Sequence, residues 1–172
     1  MPDGQYAPIY HGYTRDIFDT ALRGNLIAVK FYVTEDRESV NQKDKKYLNH
    51  TPLHNACITC QLHVIHYLIS NNAEIDAVDD YGYTPLLKAS CHGNGVVVKI
   101  LLDKGANINH QSVDNRTALH LAIIYNQMKI VKILVEKGAD QTLRDNMNLS
   151  AIDLAAHFDK LNRRQICLEN FK

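Results

Sequence analysis

The sequence predicts an all-α solenoid of helix-turn-helix units joined by hairpin loops. Three observations lead there. Thr51-Pro52-Leu53-His54 recurs as Thr84-Pro85-Leu86-Leu87, Thr117-Ala118-Leu119-His120 and Ser150-Ala151-Ile152-Asp153, in steps of 33 residues. A second mark keeps the same step, at Asn71-Asn72-Ala73-Glu74, Lys104-Gly105-Ala106-Asn107 and Lys137-Gly138-Ala139-Asp140. Between the two marks apolar residues return at helical spacing, as in Val64, Ile65, Leu68 and Ile69. A fixed period of this size marks stacked units, each too small to bury its own apolar face.

The units follow in order along the chain of 172 residues. Residues 1–13 form an arm or cap segment, and units are expected at about 14–45, 46–78, 79–111, 112–144 and 145–168, with a tail at 169–172. In the first unit Ile17 takes the place of Leu53, Gly24-Asn25 end the first helix and Asn41-Gln42-Lys43-Asp44 match the unit's end. The step to the second unit is 36 residues, so three residues are inserted in loops. In the second unit Thr51 is suited to cap a helix, and Pro52 suits its first position, where a backbone N–H would be unpaired anyway. His54, three residues past the cap, is placed to bond back to it as in a capping box. A short turn near Cys60-Gln61 precedes the second helix. Gly105 and Gly138 stand where that helix should end in a left-handed residue, and Asn72 tolerates the same conformation. Segments such as VDDYGY, 78–83, read as turn-rich loops. Three tyrosines in YAPIYHGY, 6–13, are expected to cover the open face of the first unit or to serve as a partner-binding arm.

Composition narrows the function classes. Hydrophobic residues make up 45% and charged residues 22%, an ordinary folded composition. Nineteen basic and 19 acidic residues give a formal net charge of 0, which argues against a nucleic-acid or anionic-membrane binder. Lys43, Lys45 and Lys46 make a small basic patch best read as a solvated loop. The N-terminus has neither the basic nor the apolar region of a signal peptide, and VVVKILL, 96–102, is too short to span a bilayer. An intracellular protein with free thiols, without a membrane association and monomeric by itself is expected.

The units resemble the ankyrin repeat. The family's Thr-Pro-Leu-His, paired alanines, Val-Val-Lys-Leu-Leu run and Gly-Ala-Asp end are met closely, most of all by Leu119-His120-Leu121-Ala122 and Val131-Lys132-Ile133-Leu134 through Asp140. The first unit lacks the Thr-Pro pair, and Arg163-Arg164 replace a buried Val-Val pair in the last. Both departures fit caps whose outer face meets water.

This register gives addresses to the residues that could carry chemistry. CITCQLHVIH, 57–66, reads as a bare Cys-x2-Cys-x2-His-x2-His pattern, and with Cys91 it suggests a metal or redox protein. The resemblance implies otherwise. Cys57 falls on a buried alanine position, Cys60 on the glycine that ends the first helix, and His63 and His66 on solvent-facing positions, so four tetrahedral ligands would not converge. A redox pair needs an accessible thiolate, which a buried Cys57 does not offer. His54 near Cys57 belongs to the capping pattern rather than to a catalytic dyad. Gly93-Asn94-Gly95 lacks the third glycine and the strand of a phosphate loop. Asp79 and Asp80 lie in a loop, where solvation is expected. No catalytic constellation and no cofactor is expected.

The resemblance places function on a concave face built from loop tips and the exposed side of each first helix. The second unit puts Tyr47, Leu48, His50, Ile58 and Thr59 there. The third puts Asp80, Tyr81, Tyr83, Cys91 and His92 there. The fourth supplies Val113, Asp114, Arg116, Ile124 and Tyr125, and the fifth Asn146, Met147, Leu149, His157 and Phe158. Tyrosine on a rigid scaffold gives contact area at low entropic cost, and contiguous exposed apolar patches usually mark interfaces. The expected partner is a protein. A chain made almost wholly of repeats suggests a regulatory subunit or inhibitor, as in cell-cycle protein kinase complexes, in inhibitory partners of transcription factors, or in host-directed effectors.

Overall fold

The computed structural model describes residues 16–160. The tyrosine-rich arm, the Arg163-Arg164 pair, Cys167 and the tail lie outside the described residues. Helices come in pairs: α1 (Ile17–Leu22) with α2 (Leu26–Glu35), α3 (Pro52–Ile58) with α4 (Leu62–Ser70), α5 (Pro85–Cys91) with α6 (Gly95–Asp103), and α7 (Ala118–Ile124) with α8 (Met128–Glu136). The last described element is α9 (Ala151–Lys160), which runs unbroken through Asp159, the place held one unit earlier by Asn126. No strand is found among the described residues, only two isolated bridges, Asp44 with His50 and Arg144 with Ser150.

Each first helix starts the same way. The hydroxyls of Thr51, Thr84 and Thr117 accept the backbone N–H three residues on, at 3.5, 3.3 and 3.4 Å. In the second and fourth units the histidine at that position closes the box. His54 Nδ1 accepts from the Thr51 N–H at 3.1 Å and His120 Nδ1 from the Thr117 N–H at 3.2 Å. Asp153 does the same for the Ser150 N–H at 3.0 Å. Leu87 holds this place in the third unit and has no such bond to give. Each pair then turns on one left-handed residue: Gly24, Cys60, Gly93 or Asn126, with φ between 58° and 78°. The second helices of the middle units end on Asn72, Gly105 and Gly138, also at positive φ.

The insertion in the first unit falls in two places. Arg37–Asn41 form a 3-10 helix after α2. The loop tip is also longer. Asp44 N–H reaches the His50 carbonyl, whereas Asp79, Ser112 and Asp145 reach Tyr83, Arg116 and Leu149, four residues on.

Stacking supplies the core. First helices pack on first helices from α1 through α9, and behind them α2 packs on α4 and α6 on α8. Leu53, Ile65, Leu68, Leu86, Leu101, Leu119, Ile130 and Leu134 are fully buried between the rows. Each such side chain contributes about 1.5–3 kcal/mol relative to leaving it in water. Hydrogen bonds then set the register between units. Gln61, Asn94 and Gln127, each just before a second helix, donate back to the carbonyls of Leu22, Cys57 and Cys91. At the tips, the N–H groups of Asp80, Val113 and Asn146 donate to the carbonyls of Leu48, Tyr81 and Asp114 at 3.0 to 3.1 Å. The expected all-α repeat solenoid is therefore the observed fold.

Candidate functional site: the face of loop tips and first helices

The stacked tips hold their side chains at fixed spacing because each tip is rigid within itself. Asp79 Oδ1 accepts the N–H groups of Tyr81 and Tyr83, and Asp145 Oδ1 those of Met147 and Leu149. Ser112 Oγ plays this part for Asp114 and Arg116. Asn49, Gly82, Asn115 and Asn148 supply the left-handed residue that each tip needs. Asn49 reaches on to the Asp80 carboxylate at 2.6 Å, and Asn115 to the Asn146 side-chain oxygen at 2.7 Å.

On this strip the large apolar side chains stand in water. Tyr47 is 68% exposed, Tyr81 52%, Val113 60% and Met147 69%. Leu48 is exposed to a lesser degree, and Asp80 and Asp114 flank the tips as exposed carboxylates. On the helix side of the same face Thr59, His92, Tyr125 and His157 are exposed, while Ile58, Cys91, Ile124 and Phe158 are partly buried. Tyr83, Arg116 and Leu149 lie between the two rows and are half-covered by neighbouring units. Tyr81 and Tyr83 rings sit 6.4 Å apart. Burial raises the Tyr83 hydroxyl above its ordinary value, with Cys91 and Tyr125 adding to the effect.

His50 is a correction. Expected on the exposed face, it is buried, with its ring stacked on His54 at 5.5 Å and Nδ1 3.1 Å from the Asn55 side-chain oxygen. Its Nε2 lies 3.4 Å from Asp79 Oδ2. The ring lies against Asn55, His54 and Asp79, at the place that the partly buried Tyr83, Arg116 and Leu149 hold in later units. Asp79 is a second correction: a loop residue expected in solvent is buried, and Lys88 Nζ lies 2.8 Å from its Oδ2. Burial pushes this carboxyl up, but His50, Lys88 and the Tyr83 N–H together outweigh it and hold it well below the usual range. The ammonium of Lys88 also sits 4.9 Å over the Tyr83 ring. Sequence reasoning missed Lys88. Its signal was a single charge inside an otherwise apolar first helix, PLLKASC, nine residues after an aspartate.

The thiols and histidines of CITCQLHVIH do not converge. Cys57 is fully buried, and His63 and His66 lie on the exposed side of α4. Among the described residues no group of three or more His, Cys, Asp or Glu side chains is placed to hold a metal ion. Burial pushes the Cys57 thiol up, and burial likewise pushes Cys91 to about 11, so both stay protonated near neutral pH. His54 is held neutral by burial. With Nδ1 accepting, its Nε2–H donates to the Tyr83 carbonyl at 2.9 Å in the next unit. His120 repeats this toward the Leu149 carbonyl at 3.2 Å. These imidazoles lock units together. Among the described residues no helix is long and apolar enough to cross a membrane.

Comparison with known proteins agrees with the geometry. A 36% identity over 94 residues links the chain to ankyrin repeat and SAM domain-containing protein 6 of Rattus norvegicus, covering 54% of this chain but 10% of that protein. The 26S proteasome non-ATPase regulatory subunit 10 of Dictyostelium discoideum is 33% identical over 93 residues, 54% of this chain and 39% of that subunit. Ankyrin repeat protein OPG189 of Monkeypox virus is 55% identical over 38 residues, 22% of this chain and 7% of that protein. The chain thus spans a small part of the relatives it matches. Models described as ankyrin repeats in three copies and in many copies match residues 17–112 and 101–155. The first covers more than half of the sequence, and the chain belongs to the ankyrin repeat family.

Proposed function

We propose that the protein is a non-catalytic regulatory subunit or inhibitor that acts inside the cell by holding a partner protein on the face of tips and first helices. Ankyrin repeats generally mediate protein–protein interaction, which is the coarse part of this reading. The observation that carries the rest is the row of Tyr47, Tyr81, Val113 and Met147, with Tyr125 behind it, all more than half exposed on a strip fixed by hydrogen bonds between units. Exposed aromatic side chains on a rigid support lose little entropy on binding and are the usual anchors of interfaces. A regulatory role is supported by the similarity to a proteasome regulatory subunit. A protein kinase of the cell cycle is the partner class we favour, with a transcription factor second.

The test is affinity purification from native lysate with mass spectrometry, comparing the wild type with Tyr81→Ala/Tyr125→Ala. Both tyrosines are more than half exposed, so the double variant should keep its melting temperature, while each truncation removes roughly 2–4 kcal/mol of binding if it is an anchor. Partners retained unchanged by a folded double variant would refute this face as the site.

A further inference from the structure

Among the described residues the first unit carries an exposed apolar end. The sixth residue of each second helix faces the preceding unit. Lys30 of α2 lies 5.6 Å over the ring of Tyr67 in α4, and a Cβ built on Gly95 of α6 would meet Ile133 of α8 at 3.4 Å. Tyr67, Ile100 and Ile133 are accordingly packed against the core. Phe31 holds this place in α2 and is 50% exposed. The third residue of each second helix tells the same story. Val64, Val97 and Ile130 are at most 1% exposed, whereas Ala28 is only partly buried. Ile27, one turn from Phe31, is 81% exposed, at a place that is exposed in every unit and is filled by His63, Val96 and Lys129 elsewhere. Phe31 and Ile27 thus form an apolar ridge on the side where no preceding unit is found among the described residues.

The chain enters the described structure at Asp16, just before α1. Helices α1 and α2 pack as a hairpin that turns at Gly24. Ile17 stands seven residues before the turn and Phe31 seven after it, so both lie at the same height, about 8–10 Å apart across the helix pair. Three extended residues span about 10 Å, so a chain leading into Asp16 is long enough to bring residue 13 to Phe31. The sequence before it, YAPIYHGY at 6–13, carries the large apolar and aromatic side chains Tyr6, Ile9, Tyr10 and Tyr13. A tethered segment also acts at a high effective concentration.

We infer that residues 6–13 of this chain dock on the Ile27–Phe31 ridge of α2 and close the open end of the stack. The arm then takes the place of a preceding unit rather than serving a partner. The test is amide hydrogen exchange on the full chain and on full-length Tyr6→Ala/Tyr10→Ala/Tyr13→Ala, with α8 as internal reference and sedimentation to read the oligomeric state. The expected result is exchange several-fold faster across α2 in the triple variant, unchanged exchange in α8, and a monomer in both. Equal α2 exchange in the two proteins would overturn the inference. So would α2 protection that rises with protein concentration alongside a dimer, because a second copy would then be the occupant.

Discussion

His54 makes stability depend on pH in a window that can be worked out from the structure. Its ring is fully buried, accepts the Thr51 N–H and donates to the Tyr83 carbonyl. Burial lowers its pKa from 6.5 to about 4, against the pull of the Tyr83 carbonyl. The unfolded chain therefore takes up this proton more readily than the folded one. Stability is full above pH 6.5 and falls as pH drops through 6.5 toward 4. At 1.36 kcal/mol per unit the whole difference is about 3 kcal/mol, of which about 2 kcal/mol is gone by pH 5. His120, also lowered by burial, adds a loss of the same sign. Asp79, Asp140 and Asp153 are held low, so their losses begin only below about pH 3.8. The assay is urea unfolding followed by circular dichroism at pH 7.5, 6, 5 and 4.5. The partner experiment is His54→Leu, the residue that the third unit carries at position 87. At neutral pH this variant loses about 1–3 kcal/mol for each of the two backbone groups left unpaired. Its loss of stability between pH 7.5 and 5 should be smaller than the wild type's by about 2 kcal/mol. Parallel pH profiles for the two proteins would refute the assignment of His54 as the buried neutral lock.

Two further substitutions probe the frame. Cys60→Gly should raise stability by about 0.5 kcal/mol, because Cys60 holds φ 60° at a turn where two of its three counterparts are glycine; an unchanged or lower urea midpoint would contradict this. Lys88→Met should cost about 3 kcal/mol by leaving the buried Asp79 carboxylate without its cation. A midpoint within error of the wild type would show that the pair is not formed in solution.

Much of the frame was legible because it depends on residues close together in the chain. Thr51 and His54 are three apart, so their capping box follows from local geometry. Asn72 was placed at a left-handed position because its counterparts Gly105 and Gly138 stand where the helix should end in such a residue, and Cys60 was placed at the turn that ends the first helix, where the structure gives it φ 60°. His63 and His66 read as exposed because the ankyrin resemblance puts them at solvent-facing places of the second helix, and the structure exposes both. The polar cluster of His50, Asp79 and Lys88 was not legible. Each residue looks solvated by type, and only the contact between the first hairpin tip, the second tip and α5 brings the three together.

By itself the sequence determined the all-α repeat architecture, because a 33-residue period with caps and left-handed stops constrains backbone within each unit. The tertiary structure decided which of the tip residues stand in water. Burial of a tip side chain depends on the neighbouring unit, which is not encoded at that residue. Contacts with Asn55 and Asp79 of neighbouring elements bury His50, while Tyr47 in the same tip stands in solvent.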